Sequence, residues 1–181
     1  MKKYEFTEET LTHRREDGSE VVLHRIRALR DLDPPAMDGS VHAGDLGGFL
    51  EKEENLSHDG ECWVDEQARV LDDARVEEDA YVCFYAQVSG HAVISGDACA
   101  TDDALIKSQV ALTAGLASGS SVLDGCITIS ADVELQDVIL STPVIIEPSE
   151  DELTSALENV FQLTISGGIM ATIQPAFEID D

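Results

Sequence analysis

The sequence predicts a mainly β protein: a single-stranded β-helix, left-handed hexapeptide type favoured, with an N-terminal β-hairpin segment and a C-terminal capping helix and strand. The first observation is a beat of six. From Cys62 the chain reads CWVDEQ, ARVLDD, ARVEED, AYVCFY, AQVSGH, AVISGD, ACATDD, ALIKSQ. The second is what holds that beat. Alanine opens the hexads at Ala68, Ala74, Ala80, Ala86, Ala92, Ala98 and Ala104, and an aliphatic residue follows two places later at Val64, Val70, Val76, Val82, Val88, Ile94, Ile106 and Leu112. Units this short bury apolar side chains only by stacking on their neighbours. The third is the small residue four places after each aliphatic one, which fits a triangular coil of three hexads, so that residues 18 apart stack.

Taken in chain order, the elements divide into three parts. Residues 1–60 are expected to form a hairpin and loop cap. Strand-like runs at 2–7, 12–15 and 20–29 are separated by the Asp17-Gly18 turn. Residues 31–48, with Pro34-Pro35 and Gly39, Gly44, Gly47 and Gly48, read as loop. Residues 61–147 form the solenoid. After Leu112 the beat loosens through Gly115–Ser121 and resumes one residue out of phase at Ile127, Val133, Ile139 and Ile145, which implies a one-residue deletion at one corner and four to five coils. Residues 148–181 form the third part. Ser149-Glu150-Asp151-Glu152 is a capping box, and Leu153, Ala156, Leu157, Val160 and Phe161 recur at helical spacing. The strand-like tail around Gly167-Gly168 is a candidate cap or homodimer contact.

Charge is the second signal. The net charge is −26, and it is unevenly spread. The first thirty residues hold seven bases and six acids, whereas the rest hold 31 acids and four bases. Nucleic-acid-binding proteins carry a basic stripe, so direct nucleic-acid binding is not expected, and a basic protein is the natural complement. The competing reading of the acidity is solubility in a salt-rich cytoplasm, which the near-neutral first thirty residues count against. No run of apolar residues is long enough for a membrane span and the chain opens without a secretory pattern, so a cytoplasmic setting is expected. Cys62, Cys83, Cys99 and Cys126 lack metal spacing, Asp72-Asp73 and Asp102-Asp103 lack a calcium-loop pattern, and neither metal nor cofactor is expected.

The segment GDLGGFLEKEENLS at 44–57, followed by ARV and AxVxGxA hexads, resembles the small hexapeptide-repeat-like, polymer-forming-like β-helix proteins encoded by phages, prophages and bacteria. The resemblance covers roughly residues 22–110. It implies the fold and a mobile-element setting, and no agreed activity. Asp-Asp and Glu-Asp stand here where that family has Gly-Asn turns.

Stacking at 18 residues places Glu61, Asp79 and Asp97 in one column and sets Glu66 and Asp102 either side of Phe84. Columns of carboxylates on a rigid rod resemble the phosphate charge of a duplex. The expected function is therefore a non-enzymatic DNA mimic that occupies a basic groove of a DNA-targeting host defence complex, such as a CRISPR effector or restriction enzyme. The candidate partner-binding residues are Asp72, Asp73, Glu77, Glu78, Asp79, Asp97, Asp102 and Asp103. Trp63 and Tyr81, both at the outward second position of their hexads, are the candidate apolar anchors unless the N-terminal hairpin covers them. Two alternatives stand beside this: a self-assembling structural module, and a hexapeptide acyltransferase using His91 as base, which lacks the long cofactor-cradling loop such chemistry needs.

Overall fold

The computed structural model describes residues 2–36, 39–141, 143–148, 161–165 and 174–175. It is a parallel β-solenoid of about five turns. The strands fall into three stacks, one for each side of a triangle.

The first side stacks β4 (Trp63–Val64), β7 (Tyr81–Val82), β10 (Cys99–Ala100), β12 (Leu116–Ser118) and β14 (Val133–Gln136). The second stacks β3 (Leu46–Leu50), β5 (Arg69–Val70), β8 (Gln87–Val88), the first halves of β11 (Leu105–Leu112) and β13 (Val122–Ile129), and β15 (Ile139–Leu140). The third stacks β6 (Arg75–Val76), β9 (Val93–Ile94), the second halves of β11 and β13, and β16 (Val144–Pro148). A bridge from Leu56 to Val76 starts the third side. Parallel coil pairing therefore already includes Phe49, Leu50 and Leu56.

The hexad beat is the inside of this triangle. Val64, Val70, Val76, Val82, Val88, Ile94, Ile106 and Leu112 are all fully buried, and so are the alanines from Ala68 to Ala98. Each large aliphatic removed from water contributes about 1.5–3 kcal/mol, which makes this column the main favourable term.

The period is 18 residues as far as Leu112 and shortens after it. Ala100 pairs with Ala117 and Leu112 with Ile129, a spacing of 17. Inward aliphatics lie six apart around each coil except from Leu112 to Ala117 and from Leu135 to Leu140, where they lie five apart. The expected corner deletion is thus present, and a second one follows it. The second deletion overturns the expected phase at the end of the repeat. Ile127 and Val133 are buried in the small-residue position, whereas Ile139 and Ile145 point outward, 63% and 45% exposed. Leu140 and Ile146 fill the core in their place.

The N-terminal hairpin pairs β1 (Tyr4–Arg14) with β2 (Glu20–Ala28) antiparallel, and β2 pairs antiparallel with β3. The turn between the two strands is closed by Asp17, whose Oδ1 accepts from the Ser19 amide at 2.8 Å. Within residues 31–48, Leu32 and Val41 bridge and β3 begins at Leu46. The hairpin lies against the second side, where Leu23, Phe49 and Leu71 form a small core of their own with Leu11 and Val21 packed on it. Arg25 sits 5.4 Å over the Phe49 ring.

The GDLGG and EEN parts of the 44–57 segment have separate structural reasons. A Cβ on Gly47 would lie 2.5 Å from the Val64 carbonyl and 2.6 Å from the Trp63 ring, so only glycine lets β3 approach the first rung. Asn55, the last residue of a 3-10 turn at Glu53–Asn55, is fully buried. Its Oδ1 accepts from the Lys52 amide at 2.8 Å, and its Nδ2 donates to Asp72 O at 3.2 Å and Ala74 O at 2.8 Å.

At the other end β17 (Phe161–Ile165) adds antiparallel to β16, and β18 (Gln174–Pro175) adds antiparallel to β14. The strand part of the expected C-terminal cap is there. The expected helix falls on 149–160, outside the described residues, and Phe161, assigned from sequence to its apolar stripe, opens β17.

Candidate functional site

At all three corners of the triangle most coils place one residue in the left-handed region, and these residues stack. The corner from the third to the first side uses Gly60, Glu78, Gly96 and Gly115; the corner from the first to the second uses Glu66, Phe84, Asp102, Gly119 and Asp137; the corner from the second to the third uses Asp72, Gly90, Ser108 and Gly125. Left-handed backbone costs an ordinary L residue roughly 1–2 kcal/mol, and short polar side chains offset part of it by local hydrogen bonding. The carboxylates at these positions do so between coils. Asp72 Oδ2 accepts from the Gly90 amide at 3.1 Å, Glu78 Oε2 from Gly96 at 2.6 Å, and Asp102 Oδ2 from Gly119 at 2.9 Å. The same bond recurs at all three corners, from one left-handed residue to its counterpart one coil on.

The sequence-selected acids therefore differ in what they do. Asp72, Glu78 and Asp102 brace successive coils, and Asp79 Oδ1 accepts from the Glu61 amide at 3.0 Å. Asp73 is ion-paired to Lys52 at 2.6 Å, which holds its carboxyl below the usual carboxylate range, and Glu77 is paired to Arg75 at 3.3 Å. Asp97 and Asp103 are exposed and make no side-chain bond among the described residues.

The eight acids do not share one surface. Asp72 and Asp73 lie on the corner where the hairpin delivers Arg15 and Glu16. There Arg15 donates to both oxygens of Glu51 at 3.0 Å and, through Nε, to Asp72 at 2.9 Å, while Lys107 bridges Glu16 at 2.7 Å and Asp124 at 3.4 Å. That corner is partly compensated, with three bases shared among five acids. The other two border the first side from opposite edges. One carries Asp59, Glu61, Glu77, Glu78, Asp79 and Asp97, with Arg30 on Glu61 and Arg75 on Glu77 as its cations. The other carries Asp65, Glu66, Asp102, Asp103 and Asp137, with no Lys or Arg ion pair among the described residues.

Trp63, Tyr81 and Cys99 do stack on one side in the expected register. Trp63 and Tyr81 are nevertheless buried, and this corrects their expected role as exposed anchors. Gly47 lies directly on the Trp63 ring, in a core cluster that also holds Ile26, Leu32 and Val41. The Tyr81 hydroxyl donates to Asp65 Oδ2 at 3.1 Å, and burial holds it well above its ordinary pKa. Exposed aromatic surface sits instead at the uncompensated corner. Phe84, at a φ of 55°, is 45% exposed, and Tyr85 beside it is 62% exposed. The sequence signal was present in Phe84-Tyr85, an aromatic pair where neighbouring hexads carry polar or glycine turns.

His91 is exposed on the partly compensated corner, 3.6 Å from Asp73. Among the described residues no three His, Cys, Asp or Glu side chains converge to hold a metal, and no helix is long and apolar enough to cross a membrane. No protein-family model matches the chain, and no curated protein matches it.

Proposed function

We propose that this chain is a non-enzymatic acidic β-solenoid of phage or mobile-element type that binds a basic nucleic-acid-binding host protein as a DNA mimic. The class of partner is a DNA-targeting defence complex of bacteria, a CRISPR effector or restriction enzyme, and the setting is the bacterial cytoplasm.

One observation carries this reading: two carboxylate rows flank a single side of a rigid rod. In the three coils from Asp59 to Asp103 these two corners hold ten acids, of which Glu61 and Glu77 are paired with arginine. With a coil rise of about 4.8 Å, the eight unpaired charges come to about one per 1.8 Å of axis. A duplex carries about one per 1.7 Å counting both strands. The third corner, where Glu51, Asp72, Asp73 and Asp124 all have cationic partners, gives the rod a more strongly charged front and a partly compensated back, which a merely solubilising surface does not require. Phe84 and Tyr85, exposed within one row, supply apolar and cation–π contact to arginine in place of Trp63 and Tyr81.

The test is competition on a partner captured from a bacterial lysate. Duplex DNA should displace the protein. Asp97→Lys with Asp103→Lys, which breaks no internal bond, should weaken binding at least about tenfold, equivalent to about 1.4 kcal/mol. Asp73→Lys on the compensated corner should leave it within about twofold. Failure of DNA to compete, or wild-type binding by the double variant, would refute the mimic.

A further inference from the structure

Lys3 is the last residue before β1, and Cys62 is the last before β4. The fold brings the two side chains together. Lys3 is fully buried, with Nζ 3.0 Å from Cys62 Sγ and 3.4 Å from Asp59 O. Lysines are almost never fully buried unless paired, and no carboxylate pairs with this one among the described residues. Among the described residues the other hydrogen-bond partners of the Cys62 sulfur are carbonyl oxygens, those of Ser57 and Asp59 at 3.8 Å and of Val76 at 3.6 Å. Tyr4 fixes the approach: its hydroxyl donates to Glu53 O at 2.8 Å and Leu56 O at 3.1 Å, so Lys3 has little freedom to withdraw.

We propose that Lys3 and Cys62 are a modification site, at which oxidation forms a covalent N–O–S bridge stapling the N-terminal strand to the first coil. With dioxygen as oxidant, the Lys3 amine and Cys62 thiol give Nζ(H)–O–Sγ and one water. The N–O and O–S bonds form, two hydrogens leave with the second oxygen atom, nitrogen and sulfur each lose two electrons, and dioxygen takes up all four. With peroxide, two molecules are consumed and three waters leave, the first oxidation giving a sulfenic acid at Cys62.

The spacing selects this product. One inserted oxygen holds nitrogen and sulfur at nearly the separation they already have, whereas a direct N–S bond would draw two buried groups far closer together. Protonation favours it as well. Burial pushes the Lys3 ammonium down and the Cys62 thiol up, which favours the uncharged amine and thiol more than exposure to solvent would. The bridge would close the chain between residues 3 and 62 and fix the start of the hairpin that supplies Arg15 to the compensated corner.

The experiment treats the full chain with peroxide, denatures it, blocks free thiols with iodoacetamide, and maps digests by mass spectrometry with and without dithiothreitol. The expected result is a Lys3 peptide joined to a Cys62 peptide, heavier than their sum by one oxygen and lighter by two hydrogens, and released by dithiothreitol. Lys3→Met, similar in length and without an amine, should abolish the link and let Cys62 advance to sulfinic acid. Wild type that gives only sulfinic acid, only unmodified Cys62, or a link without the added oxygen would overturn the proposal.

Discussion

Replacing Asn55 by leucine tests how the 44–57 segment starts the solenoid. Asn55 is fully buried, and its three hydrogen bonds join the Lys52 amide to the carbonyls of Asp72 and Ala74, so one side chain ties the entry segment to the next coil. Each such bond contributes about 1 kcal/mol net, and buried partners left unsatisfied cost more than an average bond returns. Asn55→Leu should therefore lose about 2–4 kcal/mol. At roughly 2–4 °C per kcal/mol for a chain of this size, the melting temperature should fall by about 5–15 °C, read by circular dichroism. Asn55→Asp is the sharper control. It keeps the acceptor for the Lys52 amide but turns a donor into a charged oxygen facing two carbonyls, so it should be the less stable variant at neutral pH and should recover as pH falls and the carboxyl protonates. A leucine variant within about 0.5 kcal/mol of wild type would refute the reasoning, because no buried network could then be starting the coil.

Further outcomes follow from the same geometry. Gly47→Ala should destabilise by about 1–3 kcal/mol, since its methyl would meet the Val64 carbonyl and the Trp63 ring; chemical denaturation measures this. Asp102→Ala should cost about 1 kcal/mol or more, because alanine cannot accept from the Gly119 amide and is strained at positive φ, while Asp103→Ala should be nearly neutral, a difference that thermal melts of the pair resolve. The Asp73 carboxyl is held below its ordinary pKa in the folded state, so the advantage of wild type over Asp73→Asn should be present at neutral pH and lost as pH falls below about 4. Raising salt from about 0.01 to 0.15 M, which shortens the screening length from roughly 30 to 8 Å, should raise the melting temperature of the free chain, because a net charge of −26 repels itself.

The sequence reveals the inside of this protein better than its outside. The Ala and Val columns show because core positions admit few residue types, and the 18-residue stacking follows from them. The second deletion, between Leu135 and Leu140, does not show, because Ile139 and Ile145 look as apolar as the Leu140 and Ile146 that enter the core. Hexad position correctly gives the direction of Trp63 and Tyr81 relative to the coil. It says nothing of what lies on top, and packing against β3 across Gly47 buries Trp63. The acids read as columns, yet their bonds to the amides of the next coil depend on left-handed corners that spacing alone does not specify. Arg15 reaches Glu51 and Asp72 only through the hairpin's docking, a long-range contact. Lys3 meeting Cys62 is likewise invisible in one dimension.

The central claim is that the two rows bordering the first side, and not the acidity at large, form the binding surface. It is tested most directly by the salt dependence of affinity for a captured DNA-binding partner, measured for wild type, for Glu66→Gln with Asp97→Asn and Asp103→Asn, and for Asp73→Asn. Wild-type affinity should fall steeply with salt, the triple variant should show a clearly shallower slope, and Asp73→Asn should keep the wild-type slope. Equal slopes for all three proteins would contradict it.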